Sequence, residues 1–287
     1  MPVFATSEPI SVTIEQGMGD TQIIASQRSD TVIEVRPRDD SKASDIRAAE
    51  QTRVEYSSGR LLVQRPKQRG FGRGSTVDVT IELPAGSNVH GDTGMGDFGC
   101  EGRLAECQLK TGMGNIHLEQ TGALHLKTGM GNIAVDRGVG DADVTTGSGE
   151  VRIGAIEGAA VIKNSNGDTT VGEVTGDLRV KSANGRITID RAHASVVAKT
   201  ANGNIRIGEV IRGAIELETA AGALEVGIRE GTTAWLDLSS QYGRVRSSLD
   251  ETSSPEPSEA TVEVRARTSI GDITIQRSSQ PTQKRTT

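Results

Sequence analysis

The side chains able to do chemistry in this chain fall into a few small sets, and each implies a different reaction or ligand. Gly94-Met95-Gly96-Asp97-Phe98-Gly99 has the G-x-G-x-x-G spacing with which a strand-to-helix turn cradles a pyrophosphate. That turn must open a helix, whereas here alternating strand-like sequence follows, so no nucleotide is expected. His90, His117, His125 and His193 show no ligand spacing for a metal. Cys100 and Cys107 are the only cysteines, too few for a secreted disulfide framework. Both sit in apolar alternation, where a free thiol acts as a small hydrophobe. No Ser-His-Asp set, close acid pair or outward column of carboxylates is visible. The expectation is no catalytic residue, no metal and no cofactor.

Two basic features remain. Lys110, Lys127, Lys163, Lys181 and Lys199 recur at related positions and form a candidate binding row for an anionic partner. Asp143, Glu216 and Glu218 interrupt the row, as on an ordinary solvated face. The segment Arg65–Gly74 is basic and glycine-rich but is flanked by strand-like LLV and VDVTIEL, which reads as an exposed hairpin loop. With a formal net charge of −6 the chain lacks a general basic surface, and no nucleic-acid partner is expected.

The elements that position these residues come from a repeat. A glycine precedes a strand-like run at Gly96, Gly114, Gly131, Gly149, Gly167, Gly185, Gly203, Gly222, Gly243 and Gly271, at intervals of 18, 17, 18, 18, 18, 18, 19, 21 and 28. Relative to this anchor, aliphatic residues recur at −7, −5, +2 and +4, with mostly polar residues between. An example is Cys107, Leu109, Ile116 and Leu118 around Gly114. Period-two alternation on both sides of a turn describes two short strands per repeat. Two strands and two tight turns consume about 18 residues. The expected fold class is all-β: a parallel β-solenoid of two short strands per coil, with apolar columns inside and charge outside. An up-and-down antiparallel sandwich would not need identical columns at constant spacing. The composition agrees, because a flattened coil has room for small and medium side chains, and only 2% of the 287 residues are aromatic.

The turn columns read as structural. Three before the anchor stand Thr93, Thr111, Thr128, Thr146, Asn164, Ser182, Thr200, Thr219, Ser240 and Thr268, all able to bond neighbouring backbone. The anchor glycines suit a positive φ. The residues just after them include Asp97, Asn115, Asn132 and Asp168, reminiscent of calcium β-rolls. Arg186, Ala223 and Arg244 in the same column cannot ligate calcium, and the opposite turn offers no Asp column.

The expected organisation is an N-terminal β-rich cap over 1–93 with a short helix near 42–51. Regular coils follow over 94–249, then an acidic loop at 250–259, a final coil at 260–276 and a disordered tail at 277–287.

EPISVTIEQGMGD, VTIELPAGSNV and the serial [ST]-x-x-G-[DN]-[IV]-x-[IV] units resemble a bacterial family of unknown function whose members are labelled candidate adhesin or β-strand repeat protein. The likeness covers nearly the whole chain and is similar to cytoplasmic-looking actinobacterial members. It implies a β-solenoid and no assigned reaction, and the adhesin label implies export. MPVFATSEPISVTIEQG has neither a basic nor an apolar leader region, and no run approaches a membrane span, so a cytoplasmic location is expected. The function this supports is a non-enzymatic interaction or scaffold module with a protein partner. The alternatives are a self-assembling structural protein joined through its solenoid ends, an exported surface adhesin, and a carbohydrate-active enzyme, which would need a groove of clustered carboxylates.

Overall fold

The structure, a computed structural model, describes residues 1–65, 74–249 and 261–278. Most of the basic glycine-rich segment, the acidic loop and the last nine residues of the expected tail lie outside the described residues. The chain forms two sheets, of 14 and 13 strands, that face one another across a continuous aliphatic core. The strand before each anchor glycine belongs to the smaller, leading sheet, as Cys107–Met113 does. The strand after it belongs to the larger, trailing sheet, as Ile116–Thr121 does.

Neighbouring coils pair in parallel and in register. Cys107, Leu109 and Thr111 stand beside Leu124, Leu126 and Thr128, and Ile116 and Leu118 beside Ile133 and Val135. This is the solenoid that the alternation predicts. The four expected inward columns are buried except in the coil anchored on Gly243, where Leu236 and Leu238 are half-buried and Val245 and Ser247 exposed, and a fifth accompanies them at the far turn: Thr121, Gly138, Ile156, Val174, Ala192 and Val210. Sizes compensate along this column, since a Cβ on Gly138 would lie 2.7 Å from the Ile156 side chain.

The stacking order departs from the chain order at both ends. Ser11–Met18 and Thr21–Ser26 form a regular coil that pairs in parallel with Asn88–Met95 and Phe98–Arg103. Arg60–Gln64 and Val77–Pro84 form the next coil outward. The cap is therefore smaller than residues 1–93. It consists of Val3–Ala5, Asp30–Pro37 and Arg53–Ser57, all paired antiparallel, together with the helix Ala43–Gln51. At the other end the coil of Thr261–Ile270 and Ile273–Arg277 inserts between Gly213–Ile228 and the earlier Thr233–Ser247. The segment anchored on Gly243, rather than the last coil in sequence, is thus outermost. Nor does the tail begin at 277: Arg277 ends a strand and its guanidinium donates to the Thr232 carbonyl at 2.8 Å. Alternation identifies which residues face the core, but it is the same in every coil and does not say which coil touches which.

Candidate functional site

The site candidates are outward columns held at fixed spacing by the turns. Nine of the ten anchor glycines have positive φ, from 132° at Gly167 to 158° at Gly222; Gly243, in the outermost coil, does not. Close approach adds a second requirement. A Cβ on Gly114 would fall 2.0 Å from the Gly96 carbonyl oxygen, and one on Gly131 the same distance from that of Gly114. The same carbonyls accept the turn hydroxyls: Thr111 Oγ1 donates to Gly96 O at 3.0 Å and Thr128 Oγ1 to Gly114 O at 2.9 Å. Thr146, Asn164, Thr219, Ser240 and Thr268 repeat the bond to a stacked glycine carbonyl. Thr200 reaches other turn carbonyls at 3.4 Å, while the Thr93 and Ser182 hydroxyls have no partner among the described residues.

The column after the anchor serves the backbone too. Asp97 Oδ1 accepts the Asn115 amide at 2.7 Å, Asn115 Oδ1 that of Asn132 at 2.9 Å, and Asn132 Oδ1 that of Glu150 at 2.8 Å. Each side chain terminates an N–H that the ladder leaves open. The opposite turn, expected to lack such residues, has a partial series. Asn88, Asp141 and Asp177 accept the amides of Glu106, Ala159 and Ser195.

On the leading sheet the five lysines stand on successive or alternate rungs, with Thr145 between Lys127 and Lys163. The ends of the row are neutralised. Lys110 Nζ lies 3.1 Å from Asp92, and Lys199 Nζ lies 2.6 Å from Glu216 and 3.0 Å from Glu218. The hydrogen bond from Lys199 holds the Glu216 carboxyl below its ordinary range. Lys127, Lys163 and Lys181 are exposed and have no ion-pair partner among the described residues.

The trailing sheet carries what the sequence reading missed. Five places after the anchor, Gly154, Gly172 and Gly208 leave the backbone bare and open a trough of about 450 Å³. Asp190 occupies the same column, with Glu173, Arg191 and Glu209 one place further on. Arg191 Nε lies 3.0 Å from Glu209 and its Nη1 4.0 Å from Glu173, while His193 Nε2 meets Glu173 at 2.6 Å. Ser278 Oγ donates to the other oxygen of Glu209 at 2.9 Å. A cluster of carboxylates and bases therefore does gather on one outer face, contrary to the expectation. Two of its three acids are already bound by cations, and Asp190 alone has no partner among the described residues. His193, read as unconnected, belongs to this cluster. Columns counted further from the anchor would have exposed it.

Cys100 and Cys107 are free and buried in facing sheets. Burial pushes the Cys107 thiol up to about 11 and that of Cys100 well above its ordinary value, so both stay protonated and unreactive near neutrality. Among the described residues no group of three His, Cys, Asp or Glu side chains is placed to hold a metal, and no helix is long and apolar enough to cross a membrane.

The model of the Toastrack DUF4097 family matches residues 10–276, from the first coil to the last strand. The chain belongs to that family. No curated protein matches it. Among solved structures, this Toastrack chain is similar to a candidate adhesin from Parabacteroides merdae, at 16% identity over 78% of this chain and 94% of that one, with a TM-score of 0.38. A candidate cell adhesion protein from Clostridium sporogenes is 12% identical over 96% and 98% of the two chains, with a TM-score of 0.29. A candidate adhesin from Bacteroides fragilis is 10% identical over 96% and 95%, with a TM-score of 0.26. Likenesses this low carry no argument about what the Toastrack chain binds.

Proposed function

We propose that this Toastrack chain is a non-enzymatic, adhesin-like binding module that engages an acidic protein segment across its leading sheet. The observation that carries the reading is the contrast along the lysine row. Lys110 and Lys199 are paired within the molecule, whereas Lys127, Lys163 and Lys181 have no ion-pair partner among the described residues, Lys163 and Lys181 on adjacent rungs and Lys127 two rungs from Lys163. With rungs about 4.8 Å apart, Lys163 and Lys181 stand about 5 Å and Lys127 and Lys163 about 10 Å apart, and an acidic segment crossing the strands, with same-face side chains about every 7 Å, brings carboxylates within reach of these ammonium groups. Against catalysis stands the state of the trough, where Glu173 and Glu209 are held by Arg191, His193 and Ser278 and Asp190 alone is unpaired among the described residues.

Affinity purification of the tagged native protein, beside a Lys127→Glu/Lys163→Glu/Lys181→Glu variant, tests this. A partner recovered by the native protein, weakened by salt and lost from the variant is the expected result. Equal recovery by both forms would overturn the lysine row as the contact. The reading also keeps the chain in the cytoplasm, where two buried free thiols suit a reducing compartment. Recovery of the native protein from the cell surface would replace this with an exported adhesin.

One observation favours a second reading, self-association through the open end. Trp235, Tyr242, Val245 and Ile270 are exposed on or beside the outermost coil. Sedimentation at rising concentration separates the two readings: a strict monomer ends this one, and a dimer abolished by Trp235→Lys supports it.

A further inference from the structure

The early coils share a G-M-G corner: Gly94–Gly96, Gly112–Gly114 and Gly129–Gly131. Four of the five methionines occupy one stacked position: Met18 stands beside Met95, Met95 beside Met113 and Met113 beside Met130, and Ser148 ends the series. Met95, Met113 and Met130 are 39%, 37% and 54% exposed, unusual for a side chain that ordinarily fills cores. Each is bracketed by glycines: Gly94 and Gly96, Gly112 and Gly114, Gly129 and Gly131. Neither residue flanking each methionine therefore carries a side chain that would hold the thioether away from its stacked neighbours. Met18 differs, because its sulfur packs over Gly74 at the edge of the cap.

Parallel rungs repeat about every 4.8 Å. Two sulfurs sharing one soft metal ion stand roughly 4.6 Å apart, taking a metal–sulfur bond of about 2.3 Å. Adjacent rungs thus suit a bridging ion without movement of the backbone, and the outer two, about 9.6 Å apart, reach the same ion when their flexible side chains lean over Met113. Uncharged thioethers select Cu(I) over the divalent metals that prefer imidazole and carboxylate. We propose that Met95, Met113 and Met130 form a surface Cu(I) site, with Met113 as its central ligand and Met18 outside it. The turns supply rigidity, because Thr111 and Thr128 clamp successive corners to the glycine carbonyls below them. The buried, protonated thiols of Cys100 and Cys107 do not compete from the core.

The test is anaerobic titration of the full chain with Cu(I), supplied as its acetonitrile complex in competition with bicinchoninate. Methionine methyl carbons are labelled for NMR in the same sample. One ion is expected per chain, with the Met95, Met113 and Met130 methyl signals shifting together while that of Met1 stays in place. Met113→Leu keeps the shape of the side chain and removes the sulfur; it should weaken binding at least tenfold at unchanged melting temperature. Met18→Leu should change the affinity less than twofold. Failure to take copper from the competitor, unmoved methyl signals, or unchanged affinity in a folded Met95→Leu/Met113→Leu/Met130→Leu variant would each overturn the site.

Discussion

The two ends of the solenoid solve the same problem in opposite ways. At one end the coil of Arg60–Gln64 and Val77–Pro84 is covered by antiparallel strands and a helix, and Leu61, Val63, Val79 and Ile81 are as buried as any residue in the middle. At the other end the outer coil is covered by no described residue. Leu236 and Leu238 there are only half-buried, and Trp235 and Tyr242 face outward. Every coil supplies the same inward columns, yet a column is worth its full burial only when coils lie on both sides of it. An end coil without a cap is therefore the least stable unit and the one most open to another chain.

The turn glycines probe this difference with the largest effect. Gly131→Ala would force a Cβ to within 2.0 Å of Gly114 O at a φ of 149°, between two coils that cannot part. A loss of about 4 kcal/mol or more is expected. Gly243→Ala meets Gly271 O at 1.9 Å, but no described residue lies beyond the outermost coil to stop it lifting away, so about 1 kcal/mol is expected. Chemical denaturation of both variants checks the pair. Equal losses would mean that the open end is as firmly held as the middle.

Core truncation gives the next largest contrast. Leu126→Ala, in a fully buried column between two coils, should cost about 3 kcal/mol. Leu238→Ala, with a neighbouring coil on one side only, should cost about 1 kcal/mol. Hydrogen exchange would sharpen the result. Amides of Thr233–Tyr242 should exchange faster than those of Leu124–Met130 in the native protein, and Leu238→Ala should accelerate only the former.

The difference between the ends also marks what the sequence could reveal. The inward columns are legible because period two and an 18-residue interval place Leu109, Leu126 and Val144 on one face with no knowledge of their neighbours. The order of the end coils is not, because Gly271 and Gly243 present the same local pattern and only the stacking decides which contacts Gly222. The asparagine and aspartate column was visible as a column, but its chemistry was not. An Asn115 that accepts a backbone amide and one that ligates a cation have the same neighbours in sequence. The trough escaped because it is made by what is missing: Gly154, Gly172 and Gly208 look like further turn glycines until the sheet shows them facing outward.

The smallest expected effect is titration, and it should distinguish the ends by pH. At the capped end, three carboxyls are held below their ordinary value of 3.8. Asp30 is held by the hydrogen bond from Arg28, and Asp39 by those from the Ser41 hydroxyl and amide. For Asp45, burial works against the charge, but hydrogen bonds from the Thr76 amide, Lys42 and Ser44 overcome it. A carboxyl with a depressed folded-state pKa adds stability that is fully present above its unfolded value and disappears as pH falls through the folded value. The cap contribution should therefore be constant from pH 7 to about 5 and decline below about 4. Asp45→Asn removes one share of it at every pH where the acid is ionised. Melting temperatures of native and variant protein should differ at pH 7 and converge toward pH 2.5. A difference that stays constant down to pH 2.5 would mean that the Asp45 charge does not help hold the cap to the first coils.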